Sequence, residues 1–445
     1  MAKYKAYPEY KDSGVEWLGE VPNHWKTVSI SRLFSRIKRT GYTEKELLSV
    51  YRDYGVIPKS SRDDNNNKPS EDLSPYQLVE PNDLVMNKMK AWQGSIAISE
   101  YEGIVSPAYF VYKPNNILFE LAHPRYVHYL LRNPIYVTQY LSRSKGIRVN
   151  QWDLDPDEFR NIELLLPDKT EQEKIYSFLD HETAKIDNLI EKQQQLIELL
   201  KEKRQAVISH AVTKGLNPDV PMKDSGVEWL GEVPEHWGVT RAKFISKIFV
   251  PQRNKPEINS DSGIFWVTME NMSQHYITSS HQRVSDLAAS QSGSKILPKG
   301  AVIASCVGNF GVAAINKVDV IINQQLQAFQ PVNVIADYLL AMVSISKNYF
   351  ELIGTAATLI YVNKEGFENL PVLVPPESEQ ISIFKFINDN NEKFELLIDH
   401  SINQINLLQE RRTALISAAV TGKIDVRDWV APDTQDVEEP QEATA

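Results

Sequence analysis

The chain has 445 residues, of which 42% are hydrophobic and 24% are charged, as expected for a globular protein of two or three domains. Its one cysteine, Cys306, excludes an internal disulfide and a zinc site with four thiolates, and its net charge of −10 at first argues against a nucleic-acid partner. The sequence contains no signal peptide and no apolar stretch as long as a membrane span, so we expect a cytoplasmic protein without a membrane partner.

A fifteen-residue segment, called the short repeat below, occurs twice. Residues 11–25 read KDSGVEWLGEVPNHW and residues 223–237 read KDSGVEWLGEVPEHW, so only Asn23 and Glu235 differ. A segment that mixes tryptophan, proline, histidine, glycine and charged residues is not expected to occur twice by chance. The chain is therefore predicted to be a tandem duplication, in which the tryptophans of each copy anchor it to a core.

A longer stretch near the end of each half repeats at a constant offset of 208 residues, matching Gln172 with Gln380 and Arg204 with Arg412. The sequences between these repeats differ from one another. We call the repeated segments the frame and the two divergent sequences between them the bodies. A repeated frame around two divergent bodies indicates one task performed on two different targets. The predicted regions are a first short-repeat segment at 1–25, a first body at 26–166, a central conserved region at 167–237, a second body at 238–374, a C-terminal conserved region at 375–430 and an acidic, disordered tail at 431–445.

In the first body, short runs between turn signals predict strands at 47–51, 83–89, 95–99 and 103–111. Helical spacing follows at 121–140, interrupted only by Pro134. The second body aligns with the middle of the first at an offset of 217 residues, which matches Gly94 with Gly311. The two bodies are therefore predicted to share one mixed α/β fold.

Two long helices are predicted at 170–214 and 378–422. Thr170 and Glu173 form a capping box at the start of the first helix, while Gly215 and Gly422 supply C-terminal stops. Each helix carries an apolar stripe typical of a coiled coil. The stripe comprises Ile186, Leu189, Ile190, Leu196, Ile197, Leu200 and Val207 in the first helix and Phe394, Leu397, Ile398, Ile405, Leu408 and Leu415 in the second, with the polar residues Gln193, Ser401 and Gln404 among them.

A single helix of about 45 residues, roughly 67 Å long, cannot bury such a stripe by itself. We expect the two helices to pair antiparallel within one chain, with a homodimeric coiled coil as the alternative. The predicted fold class is α+β: two domains of one mixed α/β fold, joined by two long antiparallel coiled-coil helices in a pseudo-two-fold arrangement.

Catalytic motifs are absent from the sequence. It has no phosphate-binding P-loop, and its nine histidines show no metal-ligand spacing. The run Asn133-Pro-Ile-Tyr136 resembles a base-positioning motif of adenine methyltransferases, but it lies in a predicted helix without a cofactor motif upstream. Pro167-Asp168 with the following glutamates resembles a nuclease motif at the wrong spacing, and a helix start explains it. We predict no catalytic residue, bound cofactor or metal on this chain.

The charge is distributed unevenly along the chain. Residues 26–152 hold 18 basic and 12 acidic side chains, while the acid is concentrated in the frame and the tail, so the first body can face phosphates. Arginine and lysine suit guanine, and asparagine and glutamine suit adenine, in the major groove of DNA. The candidate DNA-binding residues, all in predicted loops, are Lys88, Lys90, Gln93, Arg143, Lys145, Arg148, Asn150 and Gln151 in the first body and Asn309, Asn323, Gln324, Gln325, Thr358, Tyr361, Asn363 and Lys364 in the second.

The frame resembles the specificity subunit of type I restriction-modification systems over almost the whole chain. The resemblance rests on DSGVEWLGEVPxHW in both copies, on the strand-to-helix joints LLP…EQ and LVPP…EQ, and on KRQAVISHAVTKG with RRTALISAAVTGKIDVRDW. It implies two recognition domains that read the halves of a bipartite duplex DNA site, with the helices setting the spacer. It also implies two methyltransferase subunits that bind S-adenosylmethionine, and restriction (translocase-nuclease) subunits that use ATP and Mg.

Two alternatives remain open. The chain could be a self-sufficient DNA methyltransferase, which the missing cofactor loop disfavours. It could also be a non-catalytic coiled-coil scaffold without a DNA-reading role.

Overall fold

A computed structural model describes residues 4–52, 54–62, 68–148, 151–258, 261–354 and 360–431. The chain divides into two compact units, Met1–Gln193 with Asn403–Ala445 and Gln194–Ile402. Each unit contains one body, one copy of the short repeat and a part of each long helix. The predicted acidic tail lies outside the described residues from position 432 onward.

The first unit is built around a four-stranded antiparallel sheet of order β4-β11-β8-β9. The strands up to this point in the chain are β1 Tyr10–Asp12, β2 Glu20–Pro22, β3 Lys26–Ser29, β4 Phe34–Ile37, β5 Leu48–Tyr51, β6 Gly55–Pro58, β7 Gln77–Val79, β8 Leu84–Asn87, β9 Ile96–Ile98, β10 Gly103–Val105, β11 Tyr109–Pro114, β12 Ser144–Arg148, β13 Gln151–Leu154 and β14 Glu163–Leu166. The helices are α1 Ile30–Leu33, α2 Asn116–Leu121, α3 Pro124–Leu131, α4 Pro134–Arg143, α5 Pro156–Arg160 and the long α6 Lys169–Lys214.

The second unit has a five-stranded sheet of order β18-β25-β22-β23-β20. Its strands are β15 Met222–Asp224, β16 Glu232–Pro234, β17 Gly238–Arg241, β18 Ser246–Phe249, β19 Ile264–Val267, β20 Tyr276–Ile277, β21 Arg283–Val284, β22 Val302–Ser305, β23 Ala313–Asn316, β24 Val320–Ile322, β25 Leu326–Pro331 and β26 Pro371–Val374. The remaining helices are α7 Ala242–Ile245, α8 Asp286–Ser292, α9 Ala336–Ile345, α10 Lys347–Ile353, α11 Lys364–Glu368 and the long α12 Glu377–Val420. The first four strands of this sheet repeat the order seen in the first unit, which confirms the shared fold.

Two predicted elements of the first body were wrong in extent. The predicted strand 103–111 is two strands, because the chain crosses at Pro107 from the pairing of β10 with β7 to the pairing of β11 with β4 and β8. The predicted helix 121–140 is α3 and α4, with α2 ending at its first residue. Asn133 caps α4 by accepting from the Ile135 amide at 2.9 Å, and Pro134 starts a new helix because its ring cannot continue α3.

The long helices pair antiparallel inside each unit. In the first unit, Arg412 of α12 donates to the carboxylate of Asp187 in α6 at 2.8 and 3.2 Å, while Phe178 and Ala419 share one core. Later residues of α12 thus meet earlier residues of α6. The α+β fold class with two long packed helices is confirmed.

The second unit repeats the same ion pair at the matching positions. Arg204 lies 3.8 Å from Glu395, and each of these residues is 208 positions from its counterpart in the first unit. Ile208 and Ile387 are buried in the core of this unit. The pairing observed inside the units is therefore intramolecular, as predicted.

The prediction of the apolar stripe was wrong for three leucines and one glutamine, which are not buried between the helices. Ile186, Ile197 and Ser401 are buried, but Leu189, Leu196, Leu397 and Gln404 are exposed. A coiled-coil seam takes alternate steps of three and four residues, so of two adjacent apolar residues only one faces the partner helix. Ile197 occupies the seam, and its neighbour Leu196 points away.

The predicted capping box at the start of α6 was also wrong. The helix begins one residue before Thr170, and the carboxylate of Asp168 caps it by accepting from the Glu171 amide at 2.9 Å. Asp168 is as good an N-cap as threonine, and the capping position sits closer to the end of β14. The helix-start explanation of the nuclease-like run is therefore supported by a specific contact.

The short repeat fastens the start of a long helix to its own unit. In the first unit the Glu171 carboxylate accepts from the Tyr7 hydroxyl at 2.6 Å and from Trp25 Nε1 at 3.2 Å, and its other oxygen lies 2.7 Å from His24 Nε2. The Glu171 side chain is 3% exposed. Burial, and next the bond to Glu171, raise the pKa of Tyr7, so its hydroxyl remains a donor.

The second copy makes the same contacts to α12. The Glu379 carboxylate accepts from Trp237 Nε1 at 3.0 Å, and its other oxygen lies 2.7 Å from His236 Nε2. Its side chain is 39% exposed, far more than that of Glu171. The buried tryptophans confirm the predicted anchoring role of the short repeat.

The glycines that end the long helices also contact the short repeat. Gly215 follows α6 with a φ of +77°, and a Cβ there would lie 3.1 Å from the Trp237 ring. Gly422 follows α12 with a φ of +71°, and a Cβ there would lie 2.4 Å from Pro22. Both glycines are stops as predicted, because the left-handed backbone disfavours a side chain at both positions and the close contact with Pro22 leaves no room for one at Gly422.

Candidate nucleic-acid interface

The first candidate loop, Lys88 to Gly94, follows β8 of the first sheet and turns through a short 3₁₀ helix at Ala91–Gln93. Gly94 ends this turn with a φ of +92° and donates its amide to the Ala91 carbonyl at 2.8 Å. The side chains of Lys90 and Gln93 are exposed, whereas Lys88 is half-buried. A short hydrogen-bonded turn thus presents two polar side chains to solvent.

The second candidate loop of the first body packs on the first. Strands β12 and β13 form a hairpin, in which the Leu154 amide donates to the Lys88 carbonyl at 3.3 Å. The Lys88 ammonium lies 3.7 Å from the Asp153 carboxylate, and the rings of Trp92 and Trp152 are 5.0 Å apart. The structure therefore brings together two segments that are more than fifty residues apart in the sequence.

The other candidate residues of the first body lie between the end of α4 and β13. Arg143 is half-buried at the end of α4, where its guanidinium binds the Gln139 side chain, and Lys145 is exposed. Asn150 and the side chains of Arg148 and Gln151 lie outside the described part of the chain.

The candidate residues of the second body come from three segments that contact one another just after the end of β22. The Cys306 amide donates to the Gln325 carbonyl at 2.9 Å, and the Val362 amide donates to the Cys306 carbonyl at 2.9 Å. Gly308 donates to the Ile360 carbonyl at 2.9 Å. These backbone contacts place the candidate segments around residues 309, 324 and 361 side by side.

Side chains in the second body differ in how much of their hydrogen-bonding capacity is left. Asn309 and Gln325 are exposed, and the side-chain oxygen of Gln325 accepts from Asn323 Nδ2 at 3.4 Å. Gln324 donates to the Gln252 carbonyl at 3.2 Å. The oxygen of the Asn323 side chain accepts from the Gln325 amide at 3.1 Å. Tyr361 is 41% exposed, and burial of the rest raises the pKa of its hydroxyl.

Two candidates of the second body take part in a helix. Asn363 caps α11 by accepting from the Gly366 amide at 3.0 Å, as Asp155 caps α5 in the first body, and Lys364 lies 3.1 Å from Glu368. These contacts give both residues a structural role. Thr358 lies outside the described residues.

The methyltransferase-like run Asn133 to Tyr136 has a structural role in the first unit. Asn133 caps α4, and the fully buried Tyr136 accepts from the Leu165 amide at 3.1 Å. Neither side chain faces solvent. Capping and core packing explain the sequence of this run.

The residues that the structure describes contain neither a candidate metal site nor a candidate membrane-spanning helix. Among these residues no group of three or more histidine, cysteine, aspartate and glutamate side chains is arranged to hold a metal ion. Within the same ranges, no helix combines the length and the apolar composition needed to cross a membrane.

The repeated architecture matches a known family in two places. A model of the family described as "Type I restriction modification DNA specificity domain" matches residues 22–199 and 234–407. The chain belongs to this family. Two DNA specificity domains therefore follow one another in the sequence, which assigns DNA sequence recognition to the chain and confirms the resemblance.

Two named specificity subunits are similar to the chain. The MjaVIII specificity subunit of Methanocaldococcus jannaschii is 23% identical over 435 residues, which cover 92% of this chain and 95% of the relative. The StySPI specificity subunit of Salmonella potsdam is 23% identical over 225 residues, so the match spans 47% of each chain. A solved structure described as showing complex assembly and conformational transition of the type I R-M system has the same fold, with a TM-score of 0.68 and 15% identity over 90% of this chain and 98% of that chain.

Two residues of the first specificity domain were missing from the sequence-based candidates. Trp92 and Trp152 are half-buried against each other and hold the two candidate loops together. The sequence could have indicated them, because Trp92 lies close to Lys88 and Gln93 and Trp152 follows Gln151. Aromatic rings interleaved with hydrogen-bond donors are common in nucleic-acid interfaces.

Proposed function

We propose that this chain is the specificity subunit of a type I restriction-modification complex, in which each body reads one half of a bipartite duplex site. The observation that carries the proposal is the pair of specificity-domain matches, 22–199 and 234–407, one in each repeat. The shared sheet order supports a common docking mode, and the different loop sequences support different target bases. The chain itself would perform no catalysis.

Base reading would use the exposed polar side chains of the two loop clusters. Gln93 in the first body and Gln325 in the second have amide groups suited to the donor and acceptor pattern of adenine in the major groove. Lys90 and Lys145 are suited to guanine or to phosphate. Phosphate contacts would fix orientation without specifying sequence.

The expected partners are two methyltransferase subunits and restriction subunits, which would hold S-adenosylmethionine, ATP and Mg. Exposed leucines on the long helices support two equivalent docking surfaces. Leu189 and Leu407 are exposed in the first unit, and their counterparts 208 residues away, Leu397 and Leu199, are exposed in the second. One repeated apolar pair in each unit suits two copies of the same partner.

Single substitutions in one body should change one half-site only. Gln93→Ala should weaken discrimination at one base of the first half-site by about 1–3 kcal/mol, because a bidentate base contact is lost. Gln325→Ala is the matched control and should affect the other half-site. Binding of the full-length chain to duplexes with single substitutions in either half measures both effects. If each variant altered both half-sites equally, the assignment of one body to one half-site would be wrong.

We further propose that α6 and α12 set the spacer between the half-sites. Four residues added next to Gln193 and four next to Ser401 lengthen each helix by about 6 Å, close to two base pairs at roughly 3.4 Å each. The preferred spacer should therefore grow by about two base pairs, while the half-site sequences stay the same. Binding to duplexes with spacers varied one pair at a time measures this. An active variant with its original spacer would show that something other than the helices sets the distance.

A further inference from the structure

The first candidate loop, Lys88 to Gly94, contains an exposed apolar side chain. Met89 lies in the turn that follows β8 and is 43% exposed. It belongs to neither of the two buried apolar clusters that the structure describes in the first unit. Single apolar residues are common on protein surfaces, so exposure alone gives Met89 no role. Its support and its neighbours are what distinguish it.

The backbone of Met89 is held by side chains on both sides. Its amide donates to the side-chain oxygen of Asn87 at 3.1 Å, and its carbonyl accepts from Trp92 Nε1 at 3.0 Å. The Trp92 ring in turn packs on Trp152 of the neighbouring hairpin, with centroids 5.0 Å apart. The contact between the two candidate loops therefore fixes the position from which the Met89 side chain projects.

The second unit has a matching position. Leu154 and Val362 match at the 208-residue offset of the frame. The Leu154 amide donates to the Lys88 carbonyl at 3.3 Å. The Val362 amide donates to the Cys306 carbonyl at 2.9 Å. Lys88 and Cys306 are therefore equivalent in the two bodies, and so are the residues that follow them.

Val307 is the residue that matches Met89. Its amide donates to the hydroxyl of Ser305, two residues earlier, at 3.4 Å, which is the same kind of bond that the Met89 amide makes. Val307, however, is half-buried and packs on the core of the second unit. The shared fold thus has a way to bury an apolar side chain at this position, and the first body does not use it.

The side chains next to Met89 are cationic or polar. Lys90 and Gln93 are exposed, and Lys88 is half-buried with its ammonium 3.7 Å from the Asp153 carboxylate. Lysine and glutamine suit phosphate oxygens and base edges of DNA. An apolar side chain held among such residues lies where the loop would meet the major groove.

We propose that Met89 reads the methyl group of a thymine in the first half-site. The C5 methyl group of thymine is the apolar feature in the base-edge pattern of the major groove, and apolar side chains contact it. Methionine suits this contact because its unbranched, polarisable side chain adapts to the surface that it meets. The inference rests on the proposed function, to which it adds one A·T pair in the half-site read by the first body.

The test uses the duplex that the full-length wild-type chain prefers in a selection from a random library. Each thymine of its specified bases is replaced in turn by deoxyuridine, which lacks only the methyl group. The wild type should bind one of these duplexes about fourfold more weakly, the effect of one buried methyl-sized group. Met89→Ala should bind that duplex and its thymine parent with equal affinity.

Two controls accompany Met89→Ala. Met89→Leu keeps an apolar side chain of similar volume and should remain sensitive to the same deoxyuridine. Any thymine read by the second body should give the same response in the wild type and in both variants. Because Met89 is exposed, the thermal unfolding midpoint of Met89→Ala should equal that of the wild type.

Equal sensitivity of the wild type and Met89→Ala to every deoxyuridine would overturn the proposal. A lower unfolding midpoint of Met89→Ala together with unchanged sensitivity would show that Met89 only packs on its neighbours. A preferred bipartite duplex without a specified A·T pair would leave the proposed function standing and would contradict the thymine contact. If the folded wild type prefers no duplex over another, the proposed function itself is wrong.

Discussion

A chain that ends at Gly422 should lose about 4–7 kcal/mol of stability in its first unit, which is enough to unfold it. Ile424 and Val426, beyond the end of α12, are 3% and 2% exposed in the core of that unit. Full burial of an aliphatic side chain is worth about 1.5–3 kcal/mol. Trp429 adds ring contacts to Phe178 and His181, with centroids 5.6 and 5.7 Å apart.

The matched control is a chain that ends at Ala431, which keeps all of these contacts. Hydrogen exchange resolved by mass spectrometry should show loss of protection in peptides of β14 and α3 for the shorter chain. Peptides of the second unit should keep their protection in both chains. Equal protection of the first unit in the two chains would show that the segment after α12 is not part of its core.

The second large effect concerns the buried carboxylate at the start of α6. Glu171→Ala should destabilise the first unit by about 3–5 kcal/mol, because Tyr7 and Trp25 are left as buried donors without an acceptor. Both donors are almost fully buried.

Glu379→Ala is the internal control because it removes the matching residue from the second unit. Its side chain is 39% exposed and has two partners, so the expected cost is about 1–2 kcal/mol. Denaturant unfolding followed by hydrogen exchange in each unit measures both values. A cost for Glu379→Ala equal to that for Glu171→Ala would mean that burial does not set the strength of this contact.

The duplicated frame was predictable from sequence because its contacts are repeated in the two halves of the chain. Glu171 and Gln172 recur as Glu379 and Gln380, and each pair makes the same bonds in its own unit. A motif that fastens a helix to a body has to keep its spacing in both copies. Sequence comparison within the chain therefore detected the joints before their contacts were known.

Predictions of the helix cap and of the apolar stripe were wrong where several neighbouring residues suited the same position. Thr170 and Asp168 are both acceptable N-caps, and only the end of β14 decides between them. Leu196 and Ile197 are both apolar, but the path of the partner helix selects Ile197. Local propensity limits such choices without deciding them, because the decision depends on tertiary contacts.

The candidate interface was harder to predict than the frame. Loops have no periodicity from which side-chain direction can be inferred, so the sequence does not reveal that Asn363, a predicted base reader, caps α11. The packing of Trp92 on Trp152 joins loops distant in sequence, and no local pattern encodes that contact.

The most direct test of the account is selection of bound duplexes from a random library by the full-length wild-type chain. The account predicts two blocks of specified bases separated by a spacer of constant length and arbitrary sequence. Gln93→Ala should relax only one block, and Gln325→Ala only the other. Enrichment of a single continuous block, or no enrichment under conditions in which the chain is folded, would contradict the claim that two specificity domains read two half-sites.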